Sequence, residues 1–360
     1  MGHDSVTLLP GPEKPRLRSF RRLIPAAFVL LSAAGAPQAA EIGAGVEEIT
    51  GVEWPQFDRK TGKRILVVKV ARAWSSDSMN YDVEGVTVDV YGSEYNIKIT
   101  SKSGVVNRRS RRNFTFELKG DVTIRIADPA RTVLTAETLK WVAADQVLLT
   151  DKPVKITRTD FTVKGVGLEM RPEEGTKEVR FIKLNKDVQA EISPRASASA
   201  ILSGVTGKAE PPDAKIEDAP PMFISSKGAM TINRDTNVVS FEEDVVARRA
   251  SLTIRCDKLE MTFDPEKRKV TTIVGAGNVS ASDGDDGASG DTLSWDASTG
   301  LVEIAGDPAK TWRGEATVSA RIIWFSQEDG RVRVLWSGRA RIYAPPEGPN
   351  ALMHFGGAGE

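Results

Sequence analysis

The chain has 360 residues, no formal net charge, 40% hydrophobic and 27% charged residues, values typical of a globular protein of about two domains. Without residues 1–40 it holds 44 basic and 47 acidic residues, so it lacks the positive excess of a nucleic-acid-binding protein, and we expect no nucleic-acid partner. Its two histidines, His3 and His354, lie near the termini, and Cys256 is the only cysteine. This composition argues against histidine-based catalysis, a histidine- or thiolate-ligated metal and a disulfide, so we predict no cofactor and no metal.

The first forty residues have the pattern of a targeting segment. Basic residues at 16–22 precede an apolar stretch at 23–36 and a run of small residues up to Ala40. The apolar stretch is shorter than the roughly 20 residues that a spanning helix needs. Residues 1–40 are therefore predicted to be either an export signal that is cleaved or a short retained membrane anchor.

Strand patterns dominate the chain after Ile65. Apolar and polar residues alternate in 83–90, 95–99, 114–118 and 122–126, which gives each strand one apolar and one solvated face. Turn residues interrupt these strands every 8–12 residues or so, as in β-sandwiches, rolls and barrels.

The distribution of proline and glycine suggests where the chain divides. A proline-rich segment at 193–221 is predicted to link a first strand-rich block, 41–192, to a second one, 222–343. The proline- and glycine-rich tail at 344–360 is predicted to be disordered.

A short phrase recurs in both blocks. A small or polar residue followed by Val precedes, by about 16 residues, a Leu-x-Trp or Leu-x-Met step. Asp121-Val122 precedes Leu139-Lys140-Trp141, and Asn278-Val279 precedes Leu293-Ser294-Trp295. Within each block the phrase returns every 30 to 34 residues, a period typical of repeat architectures whose units bury their apolar faces together.

Particular segments carry a resemblance to a known system. The first block, through 83–88, 134–141, 147–156 and 163–168, resembles the LptC family of lipopolysaccharide export. The second block, through 244–247, 288–296 and 300–308, resembles the related LptA/OstA family. The resemblance implies two elongated, half-open β-jellyrolls of antiparallel strands, each with an apolar groove.

The resemblance also implies a function: a periplasmic bridge, without catalysis, that carries lipopolysaccharide from an inner-membrane ABC transporter toward the outer membrane. The implied partners are lipopolysaccharide, through its lipid A acyl chains, the periplasmic domains of the transporter, and LptA-like or LptD-like jellyrolls that join end to end by strand pairing. The implied location is the periplasm, with association to the inner membrane through the N-terminal segment as an option.

The apolar positions of the alternating strands are the candidate lipid-binding residues, because an acyl chain needs a continuous apolar track. They are Ile124, Ile126, Leu139, Trp141, Leu149, Ile156, Val163, Leu168, Met170, Ile254, Leu259, Met261, Phe263, Leu293, Trp295 and Ile304.

Two other interpretations of the same residues remain open. The candidate residues would equally fill an ordinary packed core, as in a self-assembling envelope structural or scaffold protein. A polysaccharide-processing enzyme is less well supported, because no pair of carboxylates can be placed across a cleft from the sequence.

Overall fold

The structure is a computed structural model that describes most of residues 48–335. Outside the description lie 1–47, 58–60, 76–79, 92–95, 109–113, 128–130, 143–144, 146, 160, 173–178, 194–219, 234, 265–269, 327–331 and 336–360. The predicted targeting segment, most of the predicted linker and the predicted disordered tail therefore lie outside the described residues.

The described residues form eighteen β-strands and no helix, which confirms the prediction of an all-β fold. The strands are β1 (Ile49–Phe57), β2 (Arg64–Ser75), β3 (Asn80–Tyr91), β4 (Asn96–Arg108), β5 (Phe114–Ile126), β6 (Val133–Val142), β7 (Val147–Thr157), β8 (Phe161–Pro172), β9 (Val179–Ile192), β10 (Met222–Ser226), β11 (Met230–Asn233), β12 (Val238–Arg249), β13 (Leu252–Phe263), β14 (Val270–Asp283), β15 (Asp286–Asp296), β16 (Leu301–Arg313), β17 (Ala316–Ser326) and β18 (Val332–Leu335). In this part of the chain no helix has the length and apolar character needed to cross a membrane.

The strands make one antiparallel sheet in which neighbours follow almost entirely in chain order. Each strand from β1 to β8 pairs with the next, and the same holds from β12 to β17. Local pairing of this kind explains why short turn signals between alternating strands were enough to predict the strand content.

The two blocks meet at a seam, where β9 pairs with both β10 and β11. β10 and β11 together form one interrupted strand between β9 and β12. The interruption is hydrogen bonded: the Lys227 amide donates to the Glu243 carbonyl at 2.9 Å, and the Gly228 amide donates to the Glu242 carbonyl at 3.0 Å. A Cβ at Gly228 would lie 2.7 Å from the Glu242 carbonyl oxygen, so this position requires glycine. The two predicted blocks thus share one sheet.

A line of β-bulges crosses the middle of the sheet, and the recurring sequence phrase marks it. The register shifts between Lys119 and Val122 in β5, between Glu242 and Val245 in β12, and between Ala276 and Val279 in β14. The bulge residues Asp121, Asp244 and Asn278 have φ values of 52°, 49° and 49°, a left-handed conformation that Asp and Asn adopt more readily than other residues with a Cβ. We call this line the bulge column; it divides the sheet into two arms.

One face of the sheet is buried along both arms. In β5, for example, Phe116 and Leu118 are buried before the bulge, and Val122 and Ile124 are buried after it. The bulge bends the strand without moving the apolar side chains to the other face. The buried side chains of both arms belong to one hydrophobic cluster, so the two arms of the bent sheet cover each other in a jellyroll-like fold.

Candidate functional site

All candidate lipid-binding residues except Leu149 lie on the inner face. All of them are buried except Phe263 and Leu149. Phe263, at the end of β13, is half-buried and packs against the core. The most enclosed candidates, among them Leu139, Leu168, Leu293 and Ile304, have at most 1% of their surface exposed. The side chains of the inner face are therefore closely packed against one another.

Pairing across the strands arranges part of these residues in a continuous row on one arm. We call it the aromatic–methionine row, and each member pairs in register with the next. Its members are Phe116, Trp141, Leu148, Met170, Ile182, Ile232, Val239, Met261, Ile273, Trp295, Val302 and Phe325. The row passes through the seam at Ile182 and Ile232, so an apolar track runs from the first block into the second without a polar interruption.

A second row lies on the other arm, across the bulge column. We call it the aliphatic row, and all of its members are buried. They are Ile99, Ile124, Leu134, Ile156, Val163, Ala190, Ile224, Ala247, Ile254, Ala281 and Ala288. The row changes from branched side chains in the first block to an alternation of Ile and Ala around and beyond the seam.

Leu149 is the one candidate that lies on the outer face. Leu149 is half-buried and pairs with Lys140 and Glu169, both on the outer face, whereas its neighbour Leu148 is 2% exposed and faces inward between Trp141 and Met170. Two consecutive leucines allow either register in a period-2 pattern, and only the cross-strand pairing distinguishes them.

Several residues that lie on the inner face were not among the candidates selected from the sequence. Phe116 and Ile182 lie in segments with the same period-2 pattern as the residues that were selected. Ile273, Phe241 and Ile224 belong to strands whose register depends on bulges and on the seam. For these three the alternation alone could not say which face is inward.

The outer face carries charge pairs along the bulge column. Lys102 Nζ lies 2.5 Å from Asp121 Oδ2, and Lys227 Nζ lies 2.6 Å from Asp244 Oδ2. The hydrogen bond and the charge of each aspartate raise the pKa of its lysine above the ordinary value. These pairs are exposed, so they contribute little to stability and leave no uncompensated charge for chemistry.

A depression of about 630 Å³ lies at the seam. Its lining includes Asp187, Lys227, Asp244 and Asp257, and Asn278 Nδ2 donates to Asp257 Oδ2 at 2.8 Å. Within the described residues no group of three or more His, Cys, Asp or Glu side chains could hold a metal ion. Among the charged groups of the depression, Lys227 and Asp244 form an ion pair.

The single thiol of the chain is unreactive at neutral pH. Cys256 lies on the inner face of β13 and is 4% exposed. Burial, helped by the charge of Asp257, raises the pKa of the Cys256 thiol to about 11. At neutral pH the thiol therefore stays protonated and is a poor nucleophile.

Comparison with known families accounts for both blocks. Residues 68–191 match the family of LptC-related lipopolysaccharide-assembly proteins, and residues 224–331 match the family of LptA/(LptD N-terminal domain) LPS transport proteins. The chain is an LptC-like block followed by an LptA-like block. Both families consist of non-catalytic proteins of the lipopolysaccharide transport bridge, which confirms the resemblance seen in the sequence and the prediction of a transport protein rather than an enzyme.

Comparison with individual proteins adds a distant structural match. Among solved structures, LptH of Pseudomonas aeruginosa, the LptA-homologous periplasmic component of the lipopolysaccharide transport device, is 14% identical; the match covers 35% of this chain and 96% of LptH, with a TM-score of 0.31. The comparison with curated proteins gave no match. Within this chain, the LptC-related match extends from β2 to β9, and the LptA-related match extends from β10 to β17.

Proposed function

We propose that this chain carries lipopolysaccharide across the periplasm by holding its acyl chains between the two arms, in both blocks. The observation that carries the proposal is the aromatic–methionine row, because it gives one uninterrupted apolar path from Phe116 to Phe325 through the seam. A path of this kind lets a lipid pass from one block to the next without exposing its chains to water.

Because the inner face is buried, a lipid can bind there only after the two arms move apart. Since the inner side chains already cover one another, an acyl chain enters only if the arms separate on the side away from the bulge column. Each methylene that leaves water contributes about 0.8 kcal/mol, so a long chain can offset the contacts that the arms lose. Because both blocks contain similar rows, the lipid binds to each with a similar free energy. The direction of transport therefore comes from the transporter.

A second candidate function rests on the same burial. A protein whose interior stays closed would act as a structural β-stack of the envelope, and the near-zero exposure of Leu139, Leu293 and Ile304 favours that alternative. The two functions differ in one observable property, contact between inner side chains and lipid.

The two ends of the sheet supply the proposed docking edges. At one end, β1 pairs with β2 along most of its nine residues, and among the described residues no strand pairs with its other edge. At the other end, β18 covers only Ile322–Phe325 of β17, so residues 316–321 have no strand neighbour on that side among the described residues. We assign the β1 edge to the periplasmic domains of an inner-membrane ABC transporter and the β17–β18 edge to a further LptA-like or LptD-like jellyroll.

Location and domain limits complete the proposal. Lipopolysaccharide bridge proteins are periplasmic, and residues 1–40 would export the chain or keep it at the inner membrane. Residues 193–221 would link the blocks while β9 and the β10–β11 strand hold them in one sheet.

Site-specific photo-crosslinking in cells tests the proposal. A photoreactive side chain replaces Trp141, Met170, Met261 or Trp295 in turn, and the exposed neighbours Lys140 and Val274 serve as outer-face controls. We expect lipopolysaccharide adducts at the four inner positions and none at the two controls. Folded variants without adducts at the inner positions would establish the closed structural β-stack instead.

A further inference from the structure

One tryptophan of the inner face has an unused hydrogen-bond donor. Trp295 in β15 is 3% exposed, and its Nε1 finds no hydrogen-bond partner among the described residues. Its cross-strand neighbours Ile273 and Val302 are buried and apolar, so neither side chain can accept a hydrogen bond. Buried tryptophans ordinarily find a partner for this N–H, because an unpaired buried donor loses its hydration without compensation.

The rest of the LptA-like block makes this position distinctive. Trp324 in β17 is half-buried, and its Nε1 donates to Glu303 Oε2 at 2.7 Å. Phe325 and Phe241 show that the interior also accepts an aromatic ring without an N–H. Trp295 thus places a donor where phenylalanine would avoid the cost of burying one.

On the opposite arm of the same block, small side chains alternate with isoleucines. Ala281, Ala288 and Ala309 have no measurable exposure, and Ala247 is 5% exposed. Small side chains on one arm and an unpaired donor on the other point to an occupant with a polar atom.

We infer that the Trp295 indole N–H is a ligand-binding donor, which donates a hydrogen bond to the carbonyl oxygen of a bound acyl chain. This inference rests on the proposed function. An acyl chain is by definition attached through an ester or amide carbonyl, and that oxygen is the acceptor nearest to the hydrocarbon. Among buried apolar side chains a paired donor is strongly favoured over an unpaired one. Trp295 therefore fixes how deep each chain lies in the LptA-like block and selects acyl-linked over ether-linked lipids.

Two single-chain lipids that differ only in this carbonyl test the inference. The probes are an ester-linked and an ether-linked lysophosphatidylcholine of equal chain length, titrated into the full chain below their micelle concentrations. We expect the wild-type protein to bind the ester about two- to tenfold more tightly than the ether, the factor that corresponds to one net hydrogen bond. The indole ¹H–¹⁵N resonance assigned to Trp295 should move downfield with the ester only.

A shape-preserving substitution isolates the N–H. Benzothienylalanine, which replaces the indole N–H with sulfur, is introduced at position 295, and at position 324 as the matched control. We expect the ester preference to disappear at position 295 and to persist at position 324, while the ligand-free protein at position 295 is at least as stable as the wild type.

The outcomes separate this inference from the proposed function. Equal binding of both lipids by the wild-type protein would overturn the role of Trp295 and leave the acyl track intact. Failure to bind either lipid would argue against the acyl track itself, and with it against the donor. Loss of stability on removing the N–H in the ligand-free protein would reveal a bound water as its partner, which also overturns the inference.

Discussion

The two blocks have the same inner face on one arm and different inner faces on the other. The aromatic–methionine row repeats a Leu-x-Trp and a Leu-x-Met step in each block, and Trp141 and Trp295 occupy equivalent positions. The aliphatic row instead changes from Ile124, Leu134 and Ile156 in the LptC-like block to alternating Ile and Ala in the LptA-like block.

This difference separates what the fold needs from what the ligand uses. A bent sheet needs only apolar side chains inside and a bulge at mid-strand, and both blocks meet these requirements. The alanines of the LptA-like block reduce the side-chain volume on one arm. We therefore place the larger share of ligand contact in the LptA-like block, a division that substitutions in each block can test.

The largest effect should come from breaking the seam that makes the two blocks comparable parts of one sheet. Ile224 in β10 is 1% exposed and pairs with Ala190 and Ala247. Ile224→Asp buries an unpaired carboxylate, and we expect a loss of about 3–5 kcal/mol in the free energy of unfolding. Chemical denaturation followed by tryptophan fluorescence should show the LptA-like block unfolding first.

The neighbouring residue supplies the control for this prediction. Phe223 is 50% exposed on the outer face of the same strand, so Phe223→Asp should change the stability by no more than about 0.5 kcal/mol. Equal effects of the two substitutions would show that the seam does not hold the blocks together.

A paired substitution in the aliphatic row tests the difference between the blocks directly. Ile156→Ala removes a branched side chain from the LptC-like block and should cost about 2–4 kcal/mol. Ala281→Leu adds volume to the LptA-like block; we expect about 1 kcal/mol of overpacking and a loss of acyl-lipid binding. Calorimetric unfolding and lipid titration measure the two effects. Unchanged lipid binding in Ala281→Leu would remove the reason for placing the ligand in the LptA-like block.

The fold could be predicted from the sequence to the extent that it depends on local patterns. Alternation in segments such as 122–126 fixes which side chains share a face, and turn residues fix where strands end. The recurring phrase repeats once every two strands. Its first residue, for example Asp121 or Asn278, marks a left-handed β-bulge, which only the pairing in the sheet shows.

Features that depend on pairing between strands could not be predicted. The choice between Leu148 and Leu149 is set by the register with β6 and β8, which alternation leaves open. The join of β9 to β10 and β11 is a contact between segments on opposite sides of the predicted linker, and no local signal encodes it. The unpaired N–H of Trp295 is a consequence of its neighbours in three dimensions and not of the Leu-x-Trp step.

A smaller effect should come from the bulge column, where the blocks differ in how closely they are packed. Gly277 has a φ of +72°, and a Cβ there would lie 2.3 Å from Asp257 Oδ2. Gly120 has a φ of +74°, and a Cβ there would have its nearest contact, with Lys102 Cβ, at 3.0 Å. Gly277→Ala should cost about 1–2 kcal/mol in unfolding free energy, because the left-handed backbone disfavours a Cβ, and Gly120→Ala should cost less because its surroundings are less crowded.

The control for the bulge lies two residues away in the same strand. A Cβ at Gly275 would make ordinary contacts, with Cys256 Sγ nearest at 3.7 Å, and Gly275 does not have a left-handed φ. Gly275→Ala should leave the unfolding free energy unchanged or slightly higher. A cost at Gly275 equal to that at Gly277 would mean that the inner face, and not the bulge, limits the substitution.

A pH-dependent effect concerns Cys256, which belongs to the LptA-like block. Its thiol has a pKa of about 11 in the folded chain against an ordinary value of 9.0, so the unfolded chain releases the proton first as the pH rises. The contribution of the thiol to stability is therefore complete below pH 9 and declines between pH 9 and about 11. The free energies of unfolding of the wild type and of Cys256→Ala are measured across this pH window. Their difference separates the effect of the thiol from the titration of lysines, which both proteins share.

The same thiol measures whether the LptA-like block opens. At pH 8 an alkylating reagent can reach Cys256 only when the arms separate, because the closed interior keeps the thiol buried and protonated. We expect slow alkylation without lipid and a severalfold slower reaction when ester-linked lysophosphatidylcholine fills the interior, with Ala281→Leu insensitive to the lipid. A rate equal to that of the unfolded chain would show that the arms are not closed, whereas no reaction over days, with or without lipid, would show that the block never opens and would favour the structural β-stack over the lipid bridge.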